Sequence, residues 1–390
     1  MNHGWEKKRL GDVCQILNGY AFKSSKYVTD GGLRIIRIAN VQDGYISDEA
    51  PQFYPEDEIE KLEKYVLVEG DLLMSLTGNV GRVALLPSSM LPAALNQRVA
   101  CLRPVMSLSK KFLFYFLRNK TFVQDCIDAS VGIAQLNLST EWLKDYPVLL
   151  PDQNQQLTIV LELDKINEML EVKRGQLKDL DMLSQSLFYE MFGDPIENPQ
   201  GWETFHLRDL VKEKLSYGSG ASGIPYDNKI RYIRITDIDE RGNLKPEIAS
   251  SPSEYNSKYM LKHGDILLAR SGATVGKAFL YKKSIGPAIY AGYLIKVSID
   301  MSILNSIYLY EFTKTAYYWN YISKSIRGAA QPNVNAQLYG NLSIPVPPLS
   351  LQNEFASKIE AIEEQKRVIE STISDLEVLL ASRMDYWFND

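Results

Sequence analysis

Cysteine is scarce in this chain. Three stand in 390 residues, Cys14, Cys101 and Cys126. The number is odd, no two are closely spaced, and all lie in the first half. That excludes a disulfide framework and points to reduced, buried thiols in a cytoplasmic protein. Histidine is as rare: His3, His206 and His263 have no partner spacing, which argues against a zinc site and against histidine-based catalysis. No run of about 18 apolar residues occurs, so no membrane span is expected. The charges at Glu6 to Arg9 are followed by no apolar stretch, so no signal peptide is expected there. Catalytic motifs are missing too. There is no G-x-S-x-G and no D/N-P-P-Y/F, the usual amino-methyltransferase motif.

Two glycine-rich stretches imitate nucleotide sites. Gly218-Ser219-Gly220-Ala221-Ser222-Gly223 fits G-x-G-x-x-G, but no strand precedes it and Pro225 blocks a helix after it. Gly272-Ala273-Thr274-Val275-Gly276-Lys277 is one residue short of a P-loop, and Ala278 stands where a hydroxyl would hold magnesium. The first reads as a loop. The second reads as a hairpin with a cation beyond its turn, as does Gly78-Asn79-Val80-Gly81-Arg82.

What the chain does have is charge sorted by segment. The total is −5. Residues 1–151 carry 17 basic and 17 acidic side chains, and residues 197–345 carry 18 and 13, hence +5. Residues 152–196 and 346–390 each carry 4 and 9, hence −5 apiece. For a polyanionic ligand the location of charge matters more than its sum.

Those two acidic segments are long helices by pattern. In the first, Ile159, Leu163, Ile166, Leu170, Leu177, Leu180, Leu187 and Met191 recur in steps of three and four. In the second, Phe355, Ile359, Ile362, Ile369, Ile373, Leu376, Leu380 and Trp387 do the same, with Phe355 to Trp387 lying 196 residues beyond Ile159 to Met191. Such a seam needs a partner helix, and each helix is the other's simplest partner. Each is roughly 60 Å long at 1.5 Å per residue. Lys173, Ser184, Lys366 and Arg383 are polar seam positions that fix register. Asp152 with Gln155 starts the first helix, and Gly193-Asp194-Pro195 stops it.

The repeat runs beyond the helices. Gly4-Trp5 returns as Gly201-Trp202, Leu10-Gly11-Asp12 as Leu207-Arg208-Asp209, and Gly70-Asp71-Leu72-Leu73 as Gly264-Asp265-Ile266-Leu267. Arg34–Val41 returns as Arg231–Ile238, and Gly132-x-x-Gln135-x-Asn137 as Gly328-x-x-Gln331-x-Asn333. One unit of about 195 residues is written twice, a lobe and then a helix. Within the first lobe the pattern predicts strands at 34–41, 71–76, 80–86, 96–103 and 146–150, and a helix over 109–127. The second lobe repeats the plan, with strands over 229–238, 265–270, 276–281 and 288–297 and a helix over 302–323.

This ordered, duplicated set, with Met191-Phe192-Gly193-Asp194-Pro195 and Pro347-Pro348-Leu349-Ser350-Leu351-Gln352, resembles the specificity subunit of type I restriction–modification systems. Leu150-Pro151-Asp152-Gln153 is a looser version of the Pro-Pro-Leu element. The resemblance implies an α+β fold: two α/β target recognition domains alternating with two long helices that pair as an antiparallel coiled coil, in a pseudo-two-fold repeat. The domains would be 1–151, 152–196, 197–347 and 348–390. It implies that each lobe reads half of a split double-stranded DNA target. The helices would space the lobes and dock two methyltransferase subunits, with restriction subunits joining the full complex. S-adenosylmethionine, ATP and magnesium would sit on those partners, and this chain would be non-catalytic. Successive major-groove faces lie roughly 34 Å apart, within the reach of such helices.

DNA-contact candidates in the first lobe are Tyr20, Lys23, Arg37, Asn40, Asn79, Arg82 and Gln135. In the second they are Tyr217, Arg234, Asp237, Arg270, Lys277, Gln331 and Asn333. Arg82 and Lys277 either touch phosphate or stand solvated, and Arg37 and Arg234 either touch DNA or close their strands. The modest lobe charge predicts weak DNA binding by this chain alone. The rival reading is a protein–protein scaffold on a duplicated coiled coil, without a DNA role.

Overall fold

In a computed structural model of the chain, α5 (Gln153–Phe192) and α9 (Leu349–Phe388) are the two long helices. The structure describes residues 4–55, 60–105, 107–131, 136–239, 242–245, 249–326 and 333–389. The chain divides into two compact units, residues 1–173 with 372–390 and residues 174–371. Each unit therefore takes one lobe and half of each long helix.

In the first unit the lobe begins with β1 (Glu6–Arg9), α1 (Leu10–Val13) and β2 (Cys14–Asn18). It continues through β3 (Leu33–Ile36), β4 (Phe53–Tyr54), β5 (Val66–Leu67), β6 (Leu72–Ser75), β7 (Val83–Leu85), β8 (Ala93–Leu95) and β9 (Val99–Pro104). Helices α2 (Lys110–Phe116), α3 (Lys120–Asp128) and α4 (Thr140–Asp145) and strand β10 (Pro147–Leu150) complete it. Strands pair in the orders β2-β9-β6-β7 and β4-β3-β8-β5, and β1 closes on β10. The first sheet is covered on both faces. Leu72 and Met74 pack with Phe112, Phe116 and Ile159, while Leu73 packs with Ile36, Leu95 and Cys101. That is why β6 is apolar at successive positions instead of alternating.

The second unit repeats the plan with β11 (Thr204–His206), β12 (Val211–Tyr217), β13 (Gly223–Pro225), β14 (Arg231–Ile233), β15 (Ser250–Pro252) and β16 (Ile266–Ala269). It continues with β17 (Ala278–Leu280), β18 (Ala288–Tyr290), β19 (Leu294–Ile299), α6 (Ser306–Phe312), α7 (Ala316–Ile326), α8 (Ala336–Gly340) and β20 (Ser343–Pro345). The order β12-β19-β16-β17 matches the first lobe, β14 pairs parallel with β18 as β3 does with β8, and β11 closes on β20.

Several predicted elements are shorter than the pattern implied. The strand read over Arg34–Val41 stops at Ile36, because the Asn40 side chain accepts from Arg37 N at 2.9 Å and folds the chain into a turn. The repeat stops at Ile233 for the same reason, with Asp237 accepting from Arg234 N at 3.0 Å. The strand over 96–103 is really a turn, Asn96-Gln97-Arg98, followed by β9, and the strand over 288–297 is β18, a turn and β19. The single helix over 109–127 is α2 and α3, separated where Asn119 caps the second by accepting from Phe122 N. The helix over 302–323 likewise divides into α6 and α7.

The helix starts are held by one residue type. Gln156 is buried; its Oε1 accepts from Ser109 N at 2.7 Å and its Nε2 donates to Ser107 O and Pro151 O. Gln352 does the same with Asn305 N, Ile303 O and Pro347 O. The looser lead-in of the first copy therefore leaves its latch intact. Asp152 caps α5 by accepting from Gln155 N at 2.9 Å.

The seam positions differ in depth. Ile159, Leu163, Ile166, Leu170, Leu177, Phe355, Ile359 and Ile362 are buried. Leu180, Leu187, Met191, Ile369, Ile373, Leu376, Leu380 and Trp387 are half-buried. Near the end of α5 the fully buried positions are Phe188 and Phe192, one place beyond Leu187 and Met191. They pack with Tyr308 and Phe355 in the second unit. In the first unit Phe388 meets Phe112 and Phe116. The pairing is antiparallel: Glu162 bonds Arg383 and Trp387 in the first unit, and Asp181 bonds Lys366 at 2.7 Å in the second. The seam cations Lys366 and Arg383 each meet a carboxylate of the other helix, which fixes the register.

Candidate nucleic-acid interface

At one end of the sheet β2-β9-β6-β7, and of its counterpart β12-β19-β16-β17, the chain enters and leaves four strands. In the first unit β2 and β6 end there and β9 and β7 begin there. The turn Asn96-Gln97-Arg98, between β8 and β9, is bonded to the chain where it leaves β2, β3 and β6. Asn96 N donates to Ile36 O, Gln97 N to Tyr20 O, and Val99 N to Asn96 O. Tyr20 N donates to Leu95 O and Leu76 N to Arg98 O.

The second unit reproduces the set bond for bond with Ala291-Gly292-Tyr293. Ala291 N donates to Ile233 O, Gly292 N to Ser219 O, Leu294 N to Ala291 O, Ser219 N to Tyr290 O, and Arg270 N to Tyr293 O. Tyr20 thus corresponds to Ser219, at an offset of 199. The glycine before each is required by close approach. A Cβ on Gly19 would lie 2.2 Å from the Asn96 carbonyl, and one on Gly218 would lie 2.3 Å from Ala291 O. This is what Gly218 does in the apparent dinucleotide motif. The P-loop-like stretch forms a short 3-10 turn, Gly272–Thr274, leading into β17 and not into a helix.

Most candidates gather at this end. Arg82 precedes β7 and donates to Gln42 Oε1 at 2.6 Å, and Lys277 holds the equivalent place before β17. Asn79 is exposed in the β6–β7 loop. Arg37 and Arg234 follow β3 and β14, where Arg37 donates to Ala50 O and Arg234 pairs with Asp237 at 2.9 Å. Arg270 lies over the Tyr217 ring at 4.6 Å, and the Tyr217 hydroxyl accepts from Ala336 N. Asn333 bridges Ser271, as Asn137 bridges Thr77. Beneath the second turn, burial pushes the Tyr290 phenol up to about 12, so it stays a neutral partner of the Ser216 hydroxyl at 2.8 Å.

Other candidates are placed differently. Asn40 is 5 % exposed and Asp237 is fully buried; both are turn caps that hold Arg37 and Arg234, not ligand contacts. The Tyr20 ring packs against Phe22 and Tyr65. Lys23 is exposed in the loop beyond Phe22. Gln135 and Gln331 lie outside the described residues. Missed by the sequence reading were Gln97 and Arg98, both exposed, and Tyr293, 65 % exposed. The sequence alone carried no shared signal for them, since the first turn reads Asn96-Gln97-Arg98 and the second Ala291-Gly292-Tyr293.

The described residues contain no cluster of metal-ligating side chains and no helix long and apolar enough to cross a membrane. All three cysteines are free and buried.

The comparisons agree with this duplicated plan. The type I restriction modification DNA specificity domain matches residues 2–181 and again 199–377. The chain is 22% identical over 386 residues to the type I restriction enzyme MjaIX specificity subunit of Methanocaldococcus jannaschii, covering 93% of this chain and 87% of that one. Its fold is similar to the type I restriction–modification S subunit of M. genitalium, with TM-score 0.60, 15% identity and coverage of 100% and 97%. It is also similar, at TM-score 0.57, 17% identity and coverage of 98% and 97%, to a chain solved for the complex assembly and conformational transition of the type I R-M system. With both lobes and most of both long helices inside the two matches, the chain belongs to the type I restriction modification DNA specificity domain family.

Proposed function

We propose that this chain is the DNA sequence-specificity subunit of a type I restriction–modification complex. Each lobe reads one half of a bipartite double-stranded target, and α5 with α9 sets the spacing between the halves. The same helices dock two methyltransferase subunits, and restriction subunits join through them. The chain performs no catalytic step. S-adenosylmethionine, ATP and magnesium belong to its partners, and the complex works in the cytoplasm, where the host DNA is. Residues 1–151 and 197–347 are the recognition domains, and 152–196 and 348–390 are the helical regions.

One observation carries this reading: the sheet end is built twice with the same backbone bonds, and each copy is flanked by cations at matching places. Arg82 answers to Lys277 and Arg37 to Arg234. Paired cations of this kind serve phosphate contacts, which position a protein on DNA without reading it. Two copies of one interface in one chain suit a target in two halves. A pure scaffold is not favoured, because both family matches fall on the lobes as well as the helices. The first lobe is neutral and the second carries +5, so the grip on DNA comes largely from the partners.

The test is the adenine methylation pattern of a host carrying the adjacent methyltransferase, with and without this gene. A split motif with a fixed gap, methylated only when the gene is present, supports the proposal. Unchanged methylation leaves a silent specificity subunit or a scaffold, and a chain that then fails to co-purify with the methyltransferase refutes the proposal.

A further inference from the structure

The two lobes can be compared position by position, because their turns carry the same backbone bonds residue for residue. Two kinds of position emerge. At one kind the charge is retained between copies: Arg82 and Lys277, Arg37 and Arg234. At the other the chemistry is exchanged completely. Gln97 answers to Gly292, and Arg98 answers to Tyr293, although the backbone bonds around them are the same.

A contact to phosphate is the same task in either half of a target, so its residue type persists. A contact to a base differs between halves, so its residue type must change. From this, and resting on the DNA-reading proposal above, we infer that Gln97 and Arg98 are specificity-determining residues of the first lobe, reading purine edges in the major groove.

The geometry fits that task. Both side chains are exposed, and among the described residues neither makes a hydrogen bond or ion pair. Gln97 N donates to Tyr20 O and Arg98 O accepts from Leu76 N, while the neighbouring Asn96 N donates to Ile36 O, so the turn is tied to three separate segments. Base reading needs side chains projected from a rigid element. Gln and Arg are also the types that make paired hydrogen bonds, Gln to adenine N6 and N7 and Arg to guanine O6 and N7. In the second lobe the same platform offers the Tyr293 ring and the bare backbone of Gly292. There the reading is by ring contact, beside the stacked pair of Arg270 and Tyr217.

The experiment is the methylation motif of the complex with its methyltransferase, for wild type, Gln97→Ala, Arg98→Ala and Arg82→Ala. Each of the first two is expected to relax one position of one half-motif, by roughly 5- to 150-fold in discrimination. The other half and the gap stay as they are. Arg82→Ala is expected to weaken methylation uniformly, with the motif unchanged. An unchanged motif in Gln97→Ala and Arg98→Ala, whether methylation is full or uniformly reduced, overturns the inference but leaves DNA reading intact. Absence of any gene-dependent motif in wild type overturns the underlying proposal as well. Should either alanine variant fail to assemble, Gln97→Glu and Arg98→Gln carry the same test. Gln97→Glu is then expected to move its position from adenine towards cytosine, whose N4 donates to a carboxylate, and no move in that variant counts against the inference.

Discussion

The first and second units share their backbone plan and differ in where they bury charge. In the first, Asp71 on the central sheet is paired with Arg103 through two bonds of 2.8 and 2.7 Å. In the second, Asp265 holds the same place but accepts from the Ser298 hydroxyl at 2.6 Å. The cation has moved to Lys296, which is 4 % exposed and lies 3.4 Å from Glu213. The position of Lys296 is Cys101 in the first unit. The repeat thus retains main-chain bonds and the backbone-capping role of the aspartate, which accepts from Val68 N or Lys262 N. Side-chain partners were free to be rewired. What stays fixed is what the frame needs, and what varies is local.

The same contrast appears where the long helices end. Phe188 is 2 % exposed and lies among Tyr308, Phe312 and Phe355, whereas its repeat, Met384, is half-buried at the edge of the first core. Phe188→Ala should therefore cost about 3–5 kcal/mol, and Met384→Ala clearly less, in urea unfolding followed by far-UV circular dichroism. Equal costs would mean that the two helix ends are equivalent after all.

The next effect in size is at the aspartates. Asp71→Asn breaks a paired interaction whose carboxylate is 2 % exposed, although Arg103 keeps about a third of its surface in water. A loss of about 2 kcal/mol is expected, below the usual cost of breaking a fully buried pair. Asp265→Asn removes no such partner and should cost about 1 kcal/mol. Thermal denaturation of the two variants compares them directly, and a larger loss for Asp265→Asn would undo the rewiring account.

The clamps between the helices respond to opposite ends of the pH scale. Burial raises the Glu162 carboxyl, but the hydrogen bonds from Arg383 and Trp387 outweigh it and hold the group below its usual value. Its contribution is complete above the unfolded carboxylate value of about 4.3 and fades as pH falls through the lowered folded value. Burial lowers Lys366, but hydrogen bonds to Asp181 and Glu363 outweigh it and raise the ammonium. That contribution is complete below about 10.4 and fades as pH rises through the raised folded value. Each is worth at most about 1 kcal/mol. Glu162→Gln should flatten the acid limb of stability against pH and leave the alkaline limb, and Lys366→Met the reverse. Both variants acting on one limb would contradict the assignment.

The smallest effect is a silence. Burial pushes the Cys14 and Cys126 thiols up to about 12 and raises Cys101 as well. A thiol reagent at pH 8 should label none of them in the native chain, because the thiolate is the reactive form. All three lie in the first unit and the second has none, so slow labelling reports opening of the first unit alone. Fast labelling of any one would show that its burial is incomplete.

How much of this was legible in the sequence depends on the kind of signal. The helix seam and the repeat could be read because both are periodic, one over seven residues and the other over about 196. The positions of the cations Arg82 and Lys277 followed from the hairpins around them. The strand ends did not follow. Arg34–Val41 alternates well beyond Ile36, and only the Asn40 side chain, bonding back to Arg37 N, ends the strand. The turn at Asn96-Gln97-Arg98 was hidden because the apolar run Val99 to Leu102 follows it at once, so the strand over 96–103 took the turn in with β9. Gln97 and Arg98 could be singled out only once the bonds of the two turns were seen to match.

On the proposed function, one frame used twice presents different readers to the two halves of one target. The most direct measurement is the methylation motif of Tyr293→Ala set beside that of Gln97→Ala, each in the complex with its methyltransferase. The account expects each variant to alter one half-motif, a different half in each case, with the gap unchanged. Alteration of the same half by both variants, or of both halves by either one, would contradict it.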